Sequence, residues 1–338
     1  WASALAIRGP PGGDCSGIVA AMGKDVTHLV LKHQQVLGFV NAPLASVARA
    51  HGLLLAHTAT PLSFDKACTL PTVWSTVQLS LERSKLCRNQ RLMVHAASGG
   101  VGLAAIESIQ WLGATAEGTA GKPHKHSGLR CTLGVTRSFS SRDALAFGWG
   151  AASLWQGGRR QGILNSLSHD FISLSLALLT ASGNFCEIGK RGTWSTVRQQ
   201  AAGSAKCHTI ALDADISCSP WWMQQMLRLL TQRACLGVVH GLPLQCFDLV
   251  HGYELAFRLL LTGTSTGKVV LRVRQVNLAK YVAGFQLLTG GTGGLGLLTA
   301  RWLGQAGASA LALASRGGAL AADSATEWTQ LQASGVVA

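Results

Sequence analysis

The period of hydrophobic and polar positions changes along the chain. Up to residue 75, short apolar runs (Gly17-Ile18-Val19-Ala20, Val36-Leu37-Gly38-Phe39-Val40, Leu53-Leu54-Leu55) are broken by Gly and Pro, as in a β-rich lobe. Residues 64–68 and 72–82, on either side of Pro71, have helical spacing. From Arg91 the pattern turns to strand, glycine-rich turn and helix. Arg91-Leu92-Met93-Val94-His95-Ala96 runs into Ala97-Ser98-Gly99-Gly100-Val101-Gly102, and Gly113 stops the helix. Strands at 162–167 and 183–190, and helices at 170–179 and 220–232, continue the alternation, which predicts a parallel sheet covered by helices. A strand at 267–273 closes this part, and a short connection, 274–280, leads to a second round. There Phe285-Gln286-Leu287-Leu288-Thr289 runs into Gly290-Gly291-Thr292-Gly293-Gly294-Leu295-Gly296, with a helix at 297–303 and a strand at 310–314. Two stretches fit poorly: Thr115-Ala116-Glu117-Gly118 is a weak strand, and the approach to Ile163 is basic, with Arg159 and Arg160.

Glycines between a strand and a helix let the backbone approach a pyrophosphate, which then rests on the helix N-terminus. Each turn alone is a weak signal, since glycines are also ordinary turn residues. The end of the following strand sharpens it: an acid there would hold the ribose 2′-hydroxyl of NAD, a base the 2′-phosphate of NADP. About twenty residues past Gly102 stand Thr119, Gly121, Lys122 and Lys125, and about twenty past Gly296 stand Ser315 and Arg316. Both turns therefore favour NADPH, with Arg142 a further cation for the first.

The 338 residues, 48% of them hydrophobic, suit two domains. No stretch approaches the roughly 20 apolar residues of a membrane span. Trp1-Ala2-Ser3 reads as the start of a fragment rather than a signal peptide. Nine scattered cysteines without a C-x-x-C pair or a Cys/His cluster imply reduced thiols in a cytoplasmic compartment and no metal site; import into an organelle stays open. The net charge of +14 comes from scarce acids (15) more than from dense bases (29), and no Lys/Arg run interleaves with aromatics. This disfavours nucleic acid and fits a phosphorylated cofactor or an acidic carrier protein.

Residues 1–273 resemble the enoyl reductase domain of type I polyketide and fatty acid synthases, a zinc-free, quinone-oxidoreductase-like member of the medium-chain reductases. The resemblance rests on Gly12-Gly13-Asp14-Cys15-Ser16-Gly17-Ile18-Val19, Cys68-Thr69-Leu70-Pro71-Thr72-Val73-Trp74, the run from Val94 to Ala105, Leu164-Asn165-Ser166-Leu167, Glu187-Ile188-Gly189-Lys190, and Gly263-Thr264-Ser265-Thr266-Gly267-Lys268-Val269-Val270. The remainder resembles the opening of the ketoreductase that follows. The implied fold is α/β: a partial GroES-like lobe (1–75), a doubly wound Rossmann core (76–273) whose segment 240–273 returns to the lobe, a linker (274–280) and the start of a second Rossmann unit (281–338).

The implied reaction is NADPH-dependent reduction of an enoyl thioester on the phosphopantetheine of an acyl carrier protein, beside neighbouring synthase domains; a homodimer is left open. The resemblance assigns Lys190 and Asp213 as the polar pair at the enolate. The residues alone would favour a solvated loop base and a turn acid. Ala97, Ser98, Gly99, Gly100, Val101, Gly102, Asn165, Ser166, Leu167, Gly189 and Lys268 fall to the first cofactor site, and Gly290, Gly294 and Gly296 to the second. Val47 stands where some relatives carry a stereochemically active Tyr, and Gly13 and Asp14 where zinc-dependent ones carry a His-Glu pair. Lys32-His33-Gln34-Gln35-Val36 lacks the family's turn glycine. The ketoreductase family needs a Tyr-x-x-x-Lys pair, and no tyrosine follows Tyr281. A free-standing quinone or enone oxidoreductase and a non-catalytic synthase domain are the competing readings.

Overall fold

The computed structural model describes residues 13–23, 26, 32–41, 43–58, 62–153, 158–189, 194–201, 204–273, 284–320 and 324–332. Two compact units lie within 1–273 and 274–338. The proposed linker, 274–280, lies outside the described residues.

The first unit opens with an antiparallel sheet of β1 (Asp14–Ile18), β2 (Gln35–Phe39) and β3 (Leu55–His57). In the turn leading into β2, His33 takes the left-handed conformation (φ 65°) that the missing glycine would have taken, and its N–H bonds Val19 O at 2.8 Å. After the short helix α1 (Phe64–Ala67), Pro71 starts α2 (Pro71–Ser84), where a proline has no amide to leave unpaired.

Six parallel strands follow: β4 (Arg91–Val94), β5 (Thr115–Ala120), β6 (Ser138–Ser140), β7 (Arg160–Asn165), β8 (Leu179–Glu187) and β9 (Lys206–Thr209), in the order β6-β5-β4-β7-β8-β9. They are connected by α3 (Gly100–Trp111), α4 (Pro123–Leu133), α5 (Ala144–Ser153), α6 (Asp170–Ala177) and α7 (Thr196–Ala201); α8 (Leu212–Cys218) and α9 (Pro220–Cys235) complete the layer. Alternation along the strands separates two cores. Leu92, Val94, Leu164 and Cys186 face α2, α3 and α9, whereas Met93, Ile163 and Phe185 pack with Phe139, Phe147 and Ile172. The strand order reverses between β4 and β7, so a ligand crevice belongs outside their carboxyl ends.

The weak strand and the basic approach to Ile163 explain each other. Glu117, fully buried on β5, accepts from Arg160 Nε at 2.8 Å on β7 and stands 3.3 Å from Arg137 Nη1 and 3.8 Å from Arg91 Nε. Arg160, equally buried, also donates to Ala151 O of α5 at 3.1 Å. A carboxylate thus does in β5 what an apolar side chain does elsewhere, because its charge is met from β4, from β7 beyond it and from the residue before β6.

The closing strand pairs outside the main sheet. β10 (Leu244–Asp248), α10 (Leu249–Thr262) and β11 (Lys268–Arg272) form a parallel β-α-β pair. It is fixed to the lobe by Arg272, which grips Asp65 at 2.6–3.1 Å, and by Leu242 N–H on Thr69 Oγ1 at 3.3 Å. The second unit contains β12 (Phe285–Thr289), α11 (Gly294–Gln305), β13 (Ala310–Ala314) and α12 (Ala325–Gln332), with β12 and β13 parallel around Leu297, Ala300, Leu311 and Leu331. Among the described residues no helix is long and apolar enough to cross a membrane.

Glu117→Met alone should cost about 3–5 kcal/mol, since it leaves the buried Arg160 without its carboxylate, and Arg160→Met somewhat less, since Glu117 keeps Arg137 and Arg91 beside it. The double variant should cost less than either single one, and urea unfolding of the three variants measures the difference.

Candidate active site

The end of β4 turns sharply. Ala96 is held in a left-handed conformation (φ 47°), and Thr119 Oγ1 accepts its N–H at 3.0 Å. Thr119 is fully buried, so it supports the turn from behind. Ala97, also buried, donates to Thr119 O at 2.8 Å. Gly99 is the N-cap of α3, and Gly100, Val101 and Gly102 form its first turn, leaving amides free for an anion. A Cβ on Gly102 would stand 2.5–2.6 Å from Ala97 backbone atoms. This glycine therefore seats the helix against the strand end, while Gly99, with only Ala96 O at 3.3 Å, leaves room for a ligand.

At the end of β5 three cations gather. Arg142 lies across Gly121, whose Cβ would meet its Nε at 2.9 Å, and reaches Gly263, whose Cβ would stand 3.1 Å from Nη2. Burial, with repulsion from Arg142 and Lys122, pulls the Lys125 ammonium below the usual lysine range. Among the described residues none of the three cations has a carboxylate partner within salt-bridge distance. A site that concentrates positive charge without an internal acid suits an external anion.

The ends of β4, β7 and β8 carry a polar chain. Ser175 Oγ lies 3.3 Å from His95 Nε2, and His95 Nδ1 lies 2.6 Å from Asn165 Oδ1. Asn165 Nδ2 donates to Glu187 Oε2 at 2.6 Å and to Leu167 O at 2.8 Å. Glu187 Oε1 accepts from Gly189 N–H at 2.6 Å. His95, Asn165 and Glu187 are buried. Burial pushes His95 down to about 4, against the opposing bond to Asn165, and raises Glu187 above the usual carboxylate range. Asn165 and Gly189 thus belong to this chain, beside Ser166 and Leu167 in the β7 exit loop. His95, Ser175 and Glu187 are not among the residues expected at the site. The available signal is that three neighbouring apolar strands end in a polar residue.

Lys268 crosses the first turn of α3. Its stem would touch a Cβ on Gly100 at 3.1 Å, and its ammonium pairs with Asp14 Oδ2 at 2.9 Å. Asp14 Oδ1 also accepts from Thr72 N–H at 2.9 Å and Oγ1 at 2.5 Å at the start of α2. The preceding backbone is tied in as well, with Gly267 N–H on the carbonyl of the buried Ser98 at 2.9 Å. Asp213 is exposed on α8. That helix is held by Arg83, which donates to Thr209 O and Asp215 Oδ1, both at 2.5 Å. Lys190 lies outside the described residues.

The second unit repeats the first turn. Gly290 is left-handed (φ 68°), Gly294 begins α11, and a Cβ on Gly296 would collide with Gly290 O. Beyond β13, Ser315 Oγ accepts from Gly318 N–H at 3.1 Å, and Arg316 is exposed.

Comparison with known proteins follows the same division. Residues 284–338 match the KR domain family. Over 90% of its length the chain is 30% identical to a phenolphthiocerol/phthiocerol polyketide synthase polypeptide of Mycobacterium tuberculosis, and likewise to highly-reducing polyketide synthase 1 of Aureobasidium melanogenum. It spans only 14% and 15% of those two proteins. Among solved structures, CurK enoyl reductase is 29% identical with a TM-score of 0.71, over 78% of this chain and 80% of that one. JamJ enoyl reductase is 26% identical with a TM-score of 0.70, over 77% and 79%. Over nearly all of its length the chain is therefore similar to a stretch of polyketide synthases. Val47 is 71% exposed, and Asp14 is the partner of Lys268. Among the described residues no three His, Cys, Asp or Glu side chains are grouped to hold a metal.

Gly102→Ala should destabilise the chain by about 1–3 kcal/mol through overpacking, whereas Gly99→Ala should leave the thermal midpoint nearly unchanged and weaken nucleotide binding. His95 supplies a pH test. The unfolded chain protonates it near 6.5 and the folded chain only near 4, so stability falls as pH drops through that window, by about 3 kcal/mol in all. His95→Gln should remove that slope in denaturant titrations across pH, while the contribution of Glu187 remains in both proteins.

Proposed function

We propose that the first unit binds NADPH and reduces the α,β-double bond of an enoyl thioester carried on an acyl carrier protein. The observation that carries the cofactor assignment is the cation group Lys122, Lys125 and Arg142, without an acid partner among the described residues, one strand away from the glycine turn. These residues fit a 2′-phosphate by charge, and the amides of Gly100–Gly102 fit a pyrophosphate by geometry. When bound, NADPH supplies the hydride for the β-carbon of the substrate.

The chain's own residues then bind, orient and protonate. Lys190 is assigned to the thioester oxygen, where an ammonium meets the developing enolate charge, and to the proton for the α-carbon. Asp213 orients that ammonium. Ser166 and Leu167 line the crevice at the β7 exit, and Lys268 holds the α3 entrance through Asp14. Neighbouring domains of a synthase and a carrier protein are the partners this reading requires, in a cytoplasmic setting. The second glycine turn, with Ser315 and Arg316 beyond it, is assigned to part of a ketoreductase cofactor site. Residues 1–75, 76–273 and 281–338 are the proposed substrate lobe, reductase core and ketoreductase segment.

Fluorescence titration should give NADPH at least about tenfold preference over NADH, since a charge-assisted bond is worth roughly 1.5–3 kcal/mol. Arg142→Ala should narrow that preference without weakening NADH. In turnover, crotonyl thioester should be saturated at the expense of NADPH, and Lys190→Ala should slow the reaction about ten- to a thousandfold with cofactor affinity nearly intact. Equal affinity for both cofactors, or NADPH binding without turnover, would sink the assignment and leave a non-catalytic domain.

A further inference from the structure

The polar chain beneath the crevice has a fixed direction. The Leu167 N–H points at Asn165 Oδ1 at 3.3 Å, while Leu167 O accepts from Nδ2, so the loop itself sets which end of the amide is oxygen. It follows that His95 donates from Nδ1 and accepts the Ser175 hydroxyl at Nε2, and that Asn165 donates to Glu187. Every member is satisfied by the next, as buried polar groups require. The amide in the middle is no base, so the chain orients groups and does not conduct protons.

The last link explains why a carboxylate stands at this place. Glu187 must accept from two donors, the Asn165 amide and the Gly189 N–H. A glutamine would point its own N–H₂ at one of them. The carboxylate folds residues 187–189 into a tight exit from β8, and a Cβ on Gly189 would lie 2.7 Å from Glu187 Oε1. The next residue in the chain is Lys190.

We infer that Glu187, oriented through Asn165 by His95, is a positioning residue for enoyl reduction, fixing the exit of β8 at Gly189, which directly precedes Lys190 in the sequence. This rests on the proposed reductase function. It adds to that reading a residue that acts from behind the crevice, through backbone geometry.

The test uses the full chain with NADPH and crotonyl thioester. Glu187→Gln should lower kcat about ten- to a hundredfold, with KM and the NADPH dissociation constant within about threefold of wild type. The kinetic isotope effect from 4-deuterated NADPH should rise, because a misaligned hydride step becomes more rate-limiting; a general loss of folded protein would leave that effect unchanged. Asn165→Asp alone sets two carboxylates together and should be worse. The double variant Asn165→Asp/Glu187→Gln restores the order toward His95 and Gly189, although Leu167 O loses the donor it has in the native chain. Its carboxylate, now at position 165, accepts from His95 and from the new amide at position 187, and the carbonyl of that amide accepts from Gly189. Since both carry the Leu167 defect, it should be faster than Asn165→Asp alone, even if that single variant folds poorly. Wild-type kcat and isotope effect in Glu187→Gln, or a double variant no better than Asn165→Asp, overturns the inference alone. A wild-type chain that binds NADPH without reducing the thioester overturns the proposed reaction and the inference together.

Discussion

The nucleotide turn depends on how closely α3 can approach the end of β4. Gly102 over Ala97 sets that distance, and much else follows from it. The free amides of the first helical turn face the crevice only because the helix sits down on the strand. Ala96 must then leave β4 in a left-handed conformation, and Thr119 of the neighbouring strand holds it there. Gly100 lies beneath the Lys268 stem, and Ser98 receives the Gly267 amide, so the β10-α10-β11 segment is attached at the same point. Gly296 imposes the same contact against Gly290 in the second unit. One steric requirement, met twice by glycine, gives both units their form.

Charge is distributed by a different logic in three places. Glu117 is inside the sheet and surrounded by arginines. Asp14 and Lys268 face each other between the lobe and the helix entrance, where the pair joins β1, α2 and β11. Lys122, Lys125 and Arg142 stand together with no acid partner among the described residues, at the end of β5. The first two arrangements hold the protein together. The third leaves its electrostatic demand to be met from outside.

The alternation of strands and helices was legible in the sequence because both faces of the sheet are apolar, and both glycine turns were legible because strand, turn, helix and base occur in order. β5 was obscured: Glu117 breaks an apolar pattern, and its counter-ion Arg160 lies 43 residues further on, beyond the reach of local periodicity. β8 begins at Leu179, where an apolar run can belong to the helix before it or to the strand. β11 has the composition of a core strand, but β10, its only paired strand among the described residues, lies outside the main sheet. Within the site, the glycines and cations could be found from spacing. The chain from Ser175 to Glu187 could not, because it joins four elements through side chains that look ordinary singly.

The Glu117–Arg160 pair also bears on the chain before it folds. A parallel sheet is assembled from distant strands, so its members spend time exposed, and uniformly apolar segments would be prone to pair with other chains. Here one inner strand carries an acid and another begins with a base. In the unfolded chain both are hydrated charges that oppose aggregation; in the native sheet they neutralise each other and disappear from the surface. Solubility during synthesis and cohesion after it are therefore served by the same two side chains.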